Sequence, residues 1–133
     1  MSKNLGVVRS IYAAWGRGDF SSLDWAQSEV EYVIVDGPEP GSWKGPVEMA
    51  KAMRNILSAW EDAGIEADEY SELDDERVLV LNHLTGRGKT SGIDVGRMQR
   101  NGAAVLHVRD GKVTRYVSYN DRARALADLG IEE

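Results

Sequence analysis

The sequence predicts an α+β fold in which helices are segregated from a mostly antiparallel sheet. Three observations carry that expectation. Apolar residues recur at helical spacing in the first fifteen residues and again between Met49 and Trp60. After Gly64 the pattern turns to β-branched and alternating stretches. Two of those stretches meet at Asp110-Gly111, a dipeptide suited to a tight hairpin turn.

Each element has its own signal. Leu5, Val8, Ile11, Tyr12 and Trp15 form the stripe of an opening amphipathic helix, which Gly16 and Gly18 close. Asp19 can cap a short second helix that turns Phe20, Leu23 and Trp25 inward. Val30, Tyr32 and Ile34 alternate with Glu31, Val33 and Val35, which predicts a strand ending at Asp36. Gly37-Pro38-Glu39-Pro40-Gly41 reads as a loop, because two prolines and two glycines cannot sustain a ladder. Gly45-Pro46 opens a further helix with the stripe Met49, Met53, Ile56, Leu57 and Trp60, and Gly64 ends it.

The second half reads as strands. Ile65–Leu73 is polar and weakly alternating, whereas Val78–Leu84 is nearly continuous apolar sequence, the pattern of a strand covered on both faces. Asp94–Arg109 and Lys112–Tyr119 flank the hairpin turn. Asp121 caps a last helix with Leu126 and Leu129 inward, and Gly130 stands where a left-handed terminus belongs, with Ile131 placed to touch Leu126. A strongly curved sheet wrapped over the long helices would leave a pocket between them.

Bulk properties narrow the functional classes. At 133 residues the chain is read as one domain, 1–133, long enough to bury about two-thirds of its unfolded surface. A net charge of −6 opposes attraction to nucleic acid or anionic lipid, so neither is expected as a partner. No apolar run approaches the ~20 residues of a membrane helix, and Met1-Ser2-Lys3-Asn4 lacks a signal peptide's apolar core; a cytoplasmic location is the expectation. With no cysteine and only His83 and His107, neither a zinc-thiolate nor a His-rich metal site is expected. No cofactor is expected either.

One stretch invites a nucleotide reading. Gly88-Lys89-Thr90 is the tripeptide that closes a phosphate-binding loop, but the first glycine of that motif would fall on His83, and no helical stripe follows Thr90. A glycine-rich connection between strands is the better account.

The order of elements carries a resemblance. Ala14-Trp15-Gly16-Arg17-Gly18-Asp19 closing the first helix and Gly41-Ser42-Trp43-Lys44-Gly45 before the third resemble the nuclear transport factor 2-like superfamily. Gly86–Gly92 and Val108-Arg109-Asp110-Gly111-Lys112-Val113 look like its SnoaL-like branch, related to polyketide cyclases and ketosteroid isomerase. The resemblance spans nearly the whole chain. It implies a cone-shaped, cystatin-like sheet whose mouth admits a small hydrophobic or polycyclic molecule, and a homodimer formed through the outer sheet face. It does not imply one activity, because members include isomerases, cyclases, dehydratases and non-catalytic carriers.

Ketosteroid isomerase supplies the sharpest parallel. Its base is an aspartate nine residues before the glycine that opens the next helix, and Asp36 stands at that distance from Gly45. Such a carboxylate, partly desolvated, suits proton abstraction beside a carbonyl. The isomerase's helical tyrosine falls on Ile11, one residue from Tyr12, and its late aspartate falls near Ala104, so an enolate would lack its donors. A base without its electrophile argues against steroid isomerisation. The alternative for Asp36 is a turn-shaping role before Gly37-Pro38.

The remaining candidates divide the same way. Asp121 is a helix cap that can still border the pocket, and His83, in an apolar strand, is either a buried neutral histidine or a proton shuttle. His107 points away from the pocket if Leu106 and Val108 face the core. Trp15, Tyr32, Trp43, Tyr116 and Tyr119 suit either packing or a wall that stacks a flat ligand, and Arg97 either a surface ion pair or an anionic substituent. The candidate catalytic set is therefore Asp36, His83, Tyr12 and Asp121. The acidic run from Glu61 to Glu76 is a solvated edge that discourages aggregation.

Overall fold

A computed structural model describes residues 3–19, 24–36, 40–57, 60–88 and 102–130. Helix α1 (Lys3–Gly16) buries Val8, Ile11, Tyr12 and Trp15, the i, i+3, i+4, i+7 stripe read from the sequence. It closes as glycine endings do: Gly18 takes φ +77°, its N–H donates to the Trp15 carbonyl, and the Asp19 N–H donates to Ala14. The short helix expected after Asp19 falls on residues outside the described ones, apart from Trp25, which packs edge-on against Trp15 at 5.7 Å.

Strand β1 (Ala26–Ile34) turns Val30, Tyr32 and Ile34 into the core. The segment Gly41–Lys44, which was not expected to pair, forms strand β2 against it, with Tyr32 opposite Trp43. Gly45 then bends the chain at φ +89° into helix α2 (Pro46–Leu57). The structure corrects the end of this helix. It stops at Leu57, and Trp60 begins strand β3 (Trp60–Glu72) rather than completing the helical stripe. The physical reason is long-range: β3 pairs with β4 (Arg77–Gly88) from Trp60↔Gly88 to Glu72↔Val78, a ladder that outweighs local helical periodicity. Gly64, read as a helix stop, instead borders a register shift in that ladder.

Strand β4 also continues past the expected Leu84 to Gly88, so Gly86 and Gly88 lie in a strand; Lys89 and Thr90 lie outside the described residues. Strand β5 (Gly102–Arg109) and strand β6 (Lys112–Tyr119) meet at Asp110 (φ +53°) and Gly111 (φ +78°), the two positive values a type I′ turn requires. The expected start of β5, residues 94–101, is outside the described region. Helix α3 (Arg122–Leu129) is capped as the sequence indicates: the Asp121 side chain accepts from the Ala123 N–H, and Gly130 ends the helix at φ +71°. Ile131, expected to touch Leu126, is outside the described residues.

The six strands lie in the order β2-β1-β6-β5-β4-β3, with β1 and β6 parallel and every other pairing antiparallel. The sheet is curved and open. Strand alternation sorts its side chains onto two faces. The inner face meets α1 and α2 through Val30, Tyr32, Val78, Val80, Leu106 and Tyr116. The outer face meets α3 through Leu79, Val105, Val117 and Tyr119, with Ala125 and Leu126 on the helix side. Both faces of β4 are thus covered, as its unbroken apolar run required.

Candidate functional site

The aromatic residues of the inner face form one contiguous group. Tyr12 lies edge-on to Trp15 at 5.0 Å, Trp15 stands 5.5 Å from Tyr116, and Tyr116 is edge-on to Tyr32 at 5.3 Å. Tyr32 continues the row to Trp43 at 5.6 Å, across the β1–β2 pair. Aromatic pairs in these arrangements add about 0.5–1.5 kcal/mol each beyond their area burial.

Within this apolar group sits a small hydrogen-bonded centre. The Tyr12 and Tyr116 hydroxyls are 3.5 Å apart, and Asn82 Nδ2 donates to the Tyr12 hydroxyl at 2.9 Å. Tyr12 and Tyr116 are buried, whereas Asn82 is half-buried. Burial pushes the Tyr12 phenol up to about 12, against the opposing pull of the Tyr116 and Asn82 hydrogen bonds. Burial likewise holds the Tyr116 phenol well above its ordinary value and raises Tyr32. At neutral pH all these phenols keep their protons.

Asn82 was not singled out from the sequence. Its signal was parity: Val78 and Val80 face inward, so residue 82 does too, and an amide at an inward position of an apolar strand needs a partner. Tyr12 was placed one residue from the isomerase's tyrosine position at Ile11. Both side chains are buried, and it is Tyr12 whose hydroxyl meets another polar group across the core.

The other candidate residues lie elsewhere. Asp36, just beyond β1 and half-buried, accepts from the Asn120 N–H at 2.6 Å and the Asp121 N–H at 3.3 Å, while Asn120 Nδ2 donates to its carbonyl. This carboxylate ties the end of β1 to the turn before α3. Asp121 joins the same junction through its backbone and spends a side-chain oxygen on the Ala123 N–H at 3.0 Å.

His83 is on the outer face, a third exposed at 32%. Its Nδ1 lies 2.9 Å from Asp68 Oδ1 and its Nε2 lies 3.7 Å from Glu66 Oε2. The expected buried neutral histidine is thus a partly exposed one between carboxylates, because the alternation that turns Asn82 inward turns residue 83 outward. Arg122 completes this group, reaching Asp68 Oδ2 at 3.0 Å and the carbonyls of Gly102 and Asn82.

Tyr119 also faces outward and donates to Asp128 Oδ2 at 3.2 Å, within the α3 layer. His107 lies on that face as well, its pKa lowered by partial burial and then by Arg115 and Arg77. Arg97 is outside the described residues. The structure therefore gathers Tyr12, Trp15, Tyr32 and Trp43 at one place, joins Asp36 and Asp121 at a second, and sets His83 and Tyr119 on the opposite face. Among the described residues no three or more of His, Asp and Glu cluster as metal ligands, and no described helix is long and apolar enough to cross a membrane.

A curved, open sheet over an N-terminal helix, with an aromatic inner face, defines an α+β protein of the nuclear transport factor 2-like, cystatin-like class. The chain matches the SnoaL-like domain over residues 8–116 and belongs to that family. Solved structures agree on the fold. A nuclear transport factor 2-like protein of unknown function from Burkholderia pseudomallei is 22% identical, with a TM-score of 0.74, over 96% of this chain and 97% of that one. TerC, crystallised with polyporic acid, is 20% identical with a TM-score of 0.73, over 96% and 98%. A protein with a ketosteroid isomerase-like fold from Catenulispora acidiphila, in complex with trimethylamine, is 14% identical with a TM-score of 0.67, over 95% and 93%. A comparison with curated proteins finds no match.

Proposed function

We infer that the inner face holds a small, neutral, largely apolar molecule that bears a hydrogen-bond acceptor, and that the Tyr12 hydroxyl anchors it. The observation that carries this reading is the Tyr12–Asn82–Tyr116 centre. Asn82 donates to the Tyr12 oxygen, so the Tyr12 proton is free to turn toward Tyr116 or toward a ligand, and the 3.5 Å hydroxyl contact is long for an O–H···O bond. Asn82 is half-buried, whereas Tyr12 and Tyr116 are buried, so a ligand would reach the centre past the amide. Neutrality follows from the surroundings: no charged residue is buried among the described residues, so an ionic ligand would lose its hydration without a counter-charge. Trp15, Tyr32 and Trp43 supply the stacking wall. Two of the structural neighbours hold small molecules, polyporic acid and trimethylamine, in the same fold.

Calorimetric titration with a panel of polycyclic ketones and phenols tests the reading. Tyr12→Phe should weaken binding by about three- to tenfold, the worth of one hydrogen bond. Unchanged affinity in that variant, or no binding by any member of the panel, would sink the proposal.

A catalytic form of this function adds Asp36 as base, with Asp121 or His83 assisting, in a cofactor-free isomerisation, cyclisation or dehydration. The holding role is favoured because Asp36 and Asp121 are engaged by backbone N–H groups and His83 by Asp68. Turnover that vanishes in Asp36→Asn, with binding retained, would reverse that preference. A homodimer through the outer face would form around α3, which covers Leu79, Val105 and Val117. A sedimentation mass of one chain would remove it.

A further inference from the structure

The inner-face centre is supported from the opposite side of the sheet. Asn82 and Gly102 form the last described pair of the β4–β5 ladder, and Arg122, the first residue of α3, reaches the backbone of both. Its Nε donates to the Gly102 carbonyl at 3.3 Å and its Nη2 to the Asn82 carbonyl at 3.4 Å. Nη2 also donates to Asp68 Oδ2 at 3.0 Å. The two carbonyl contacts are long for N–H···O bonds, but one rigid, planar guanidinium makes all three, so their geometry is fixed together.

We propose that Arg122 is a positioning residue for the inner-face site: from the outer face it holds the Asn82–Gly102 pair so that the Asn82 amide stays on the Tyr12 oxygen, which selects ligands that accept a hydrogen bond over ligands that donate one. The selectivity rests on the inner-face binding reading given above. Asn82 Nδ2 takes up an acceptor site of the Tyr12 oxygen at 2.9 Å, which leaves Tyr12 its proton to give. Gly102 makes room for that amide, since an added Cβ would stand 3.2 Å from Asn82 Oδ1. Strand β3 shifts register between Ala67 and Glu69, opposite Asn82 and Leu81, so Asp68 is the extra residue of a bulge. A bulge re-aims a side chain, and this one brings the Asp68 carboxylate to Arg122.

The clamp is anchored at both ends. The second Asp68 oxygen meets His83 Nδ1 at 2.9 Å, so the carboxylate is held by β4 as well as by Arg122. Asp121 caps α3, and Asp36 accepts from the Asn120 and Asp121 N–H groups, which fixes where the helix begins and so where the Arg122 side chain starts. A lysine at this position keeps the charge opposite Asp68, but its single ammonium has no planar fork to span two carbonyls. That difference separates positioning from charge alone.

The test follows the Asn82 side-chain amide resonance of the full chain without ligand. Arg122→Lys should move it, and Arg124→Lys, the same change at an exposed position of the same helix, should leave it in place. Asp68→Asn removes the anchor without altering α3, should move the resonance as well, and decides the question if Arg122→Lys fails to fold. Calorimetry with 1-tetralone and its alcohol, 1-tetralol, then reads selectivity. The preference of the unsubstituted chain for the ketone should fall by about three- to tenfold in Arg122→Lys, the worth of one hydrogen bond. An Asn82 resonance that stays in place in Arg122→Lys and Asp68→Asn, or that moves equally in Arg124→Lys, would overturn the proposal, as would an unchanged ketone preference in Arg122→Lys. If neither compound binds the unsubstituted chain, the inner-face reading fails and the selectivity with it, whereas the ligand-free resonance still decides whether Arg122 positions the amide.

Discussion

The inner face of the sheet satisfies its polar atoms with neutral groups, two phenols and an amide, whereas the outer face satisfies them with ionisable side chains: Asp68, His83, Arg122 and Glu66. The two sets are one residue apart on β4, where Asn82 points in and His83 points out. The difference follows from solvent access. Under α1 a charge would be desolvated without a partner, which costs several kcal/mol, so only uncharged donors and acceptors persist there. On the outer face, α3 covers the apolar middle, and the ions at its margin keep water on one side. Chemistry that needs a neutral hydrogen-bond donor belongs to the first region, and charge-dependent docking of α3 to the second.

This contrast can be broken in several ways. The largest expected effect is Trp15→Ala, which should cost about 3–5 kcal/mol in urea unfolding, because that side chain is 2% exposed and touches three other rings. Leu126→Ala, in the outer layer and 7% exposed, should fall near the lower bound for a buried leucine, about 2 kcal/mol. Equal losses would show that the two layers carry equal shares of the stability.

Alkaline titration sharpens the comparison next. The folded-state pKa of Tyr12 is raised from 10.0 to about 12, so its contribution is fully present below pH 10 and is lost as pH climbs toward 12. Over that window the native state holds more protons than the unfolded one, and the stability should fall by about 2–3 kcal/mol from this group. Tyr12→Phe should remove that part of the slope in unfolding measured at successive pH values. A slope unaltered by the substitution would mean that the phenol is not buried as described.

A smaller effect is expected where the two faces meet the end of β5. An added Cβ at Gly102 would stand 2.7 Å from the Tyr119 carbonyl oxygen and 3.2 Å from Asn82 Oδ1. Gly102→Ala should therefore cost about 1–3 kcal/mol and also displace the Asn82 amide from Tyr12, visible as a shifted Asn82 side-chain resonance. Stability lost with that resonance unmoved would confine the strain to β6. The smallest effect is Asp121→Ala, about 1 kcal/mol for a lost helix cap, with ligand affinity on the inner face unaltered. Weakened affinity there would instead make Asp121 part of the site.

Much of this architecture was legible along the chain. The stripe of α1, the I′ turn at Asp110-Gly111, the bounds of β6 and both caps of α3 each depend on neighbours within a few residues, where dihedral preference and side-chain period act directly. The order of these elements also carried the family. Three things were decided only by contacts distant in sequence. Trp60 left its helical stripe because β4 offered a ladder, Gly41–Lys44 became a strand because β1 lay beside it, and Asp36 became the tie to the Asn120 and Asp121 backbone. The site follows the same division. The residue types were readable, but which of them meet was not, since Tyr12, Asn82 and Tyr116 are 70 to 104 residues apart in sequence from the first to each of the others. Side-chain chemistry and period are local properties of the chain; burial and partnership exist only after distant segments have closed on one another.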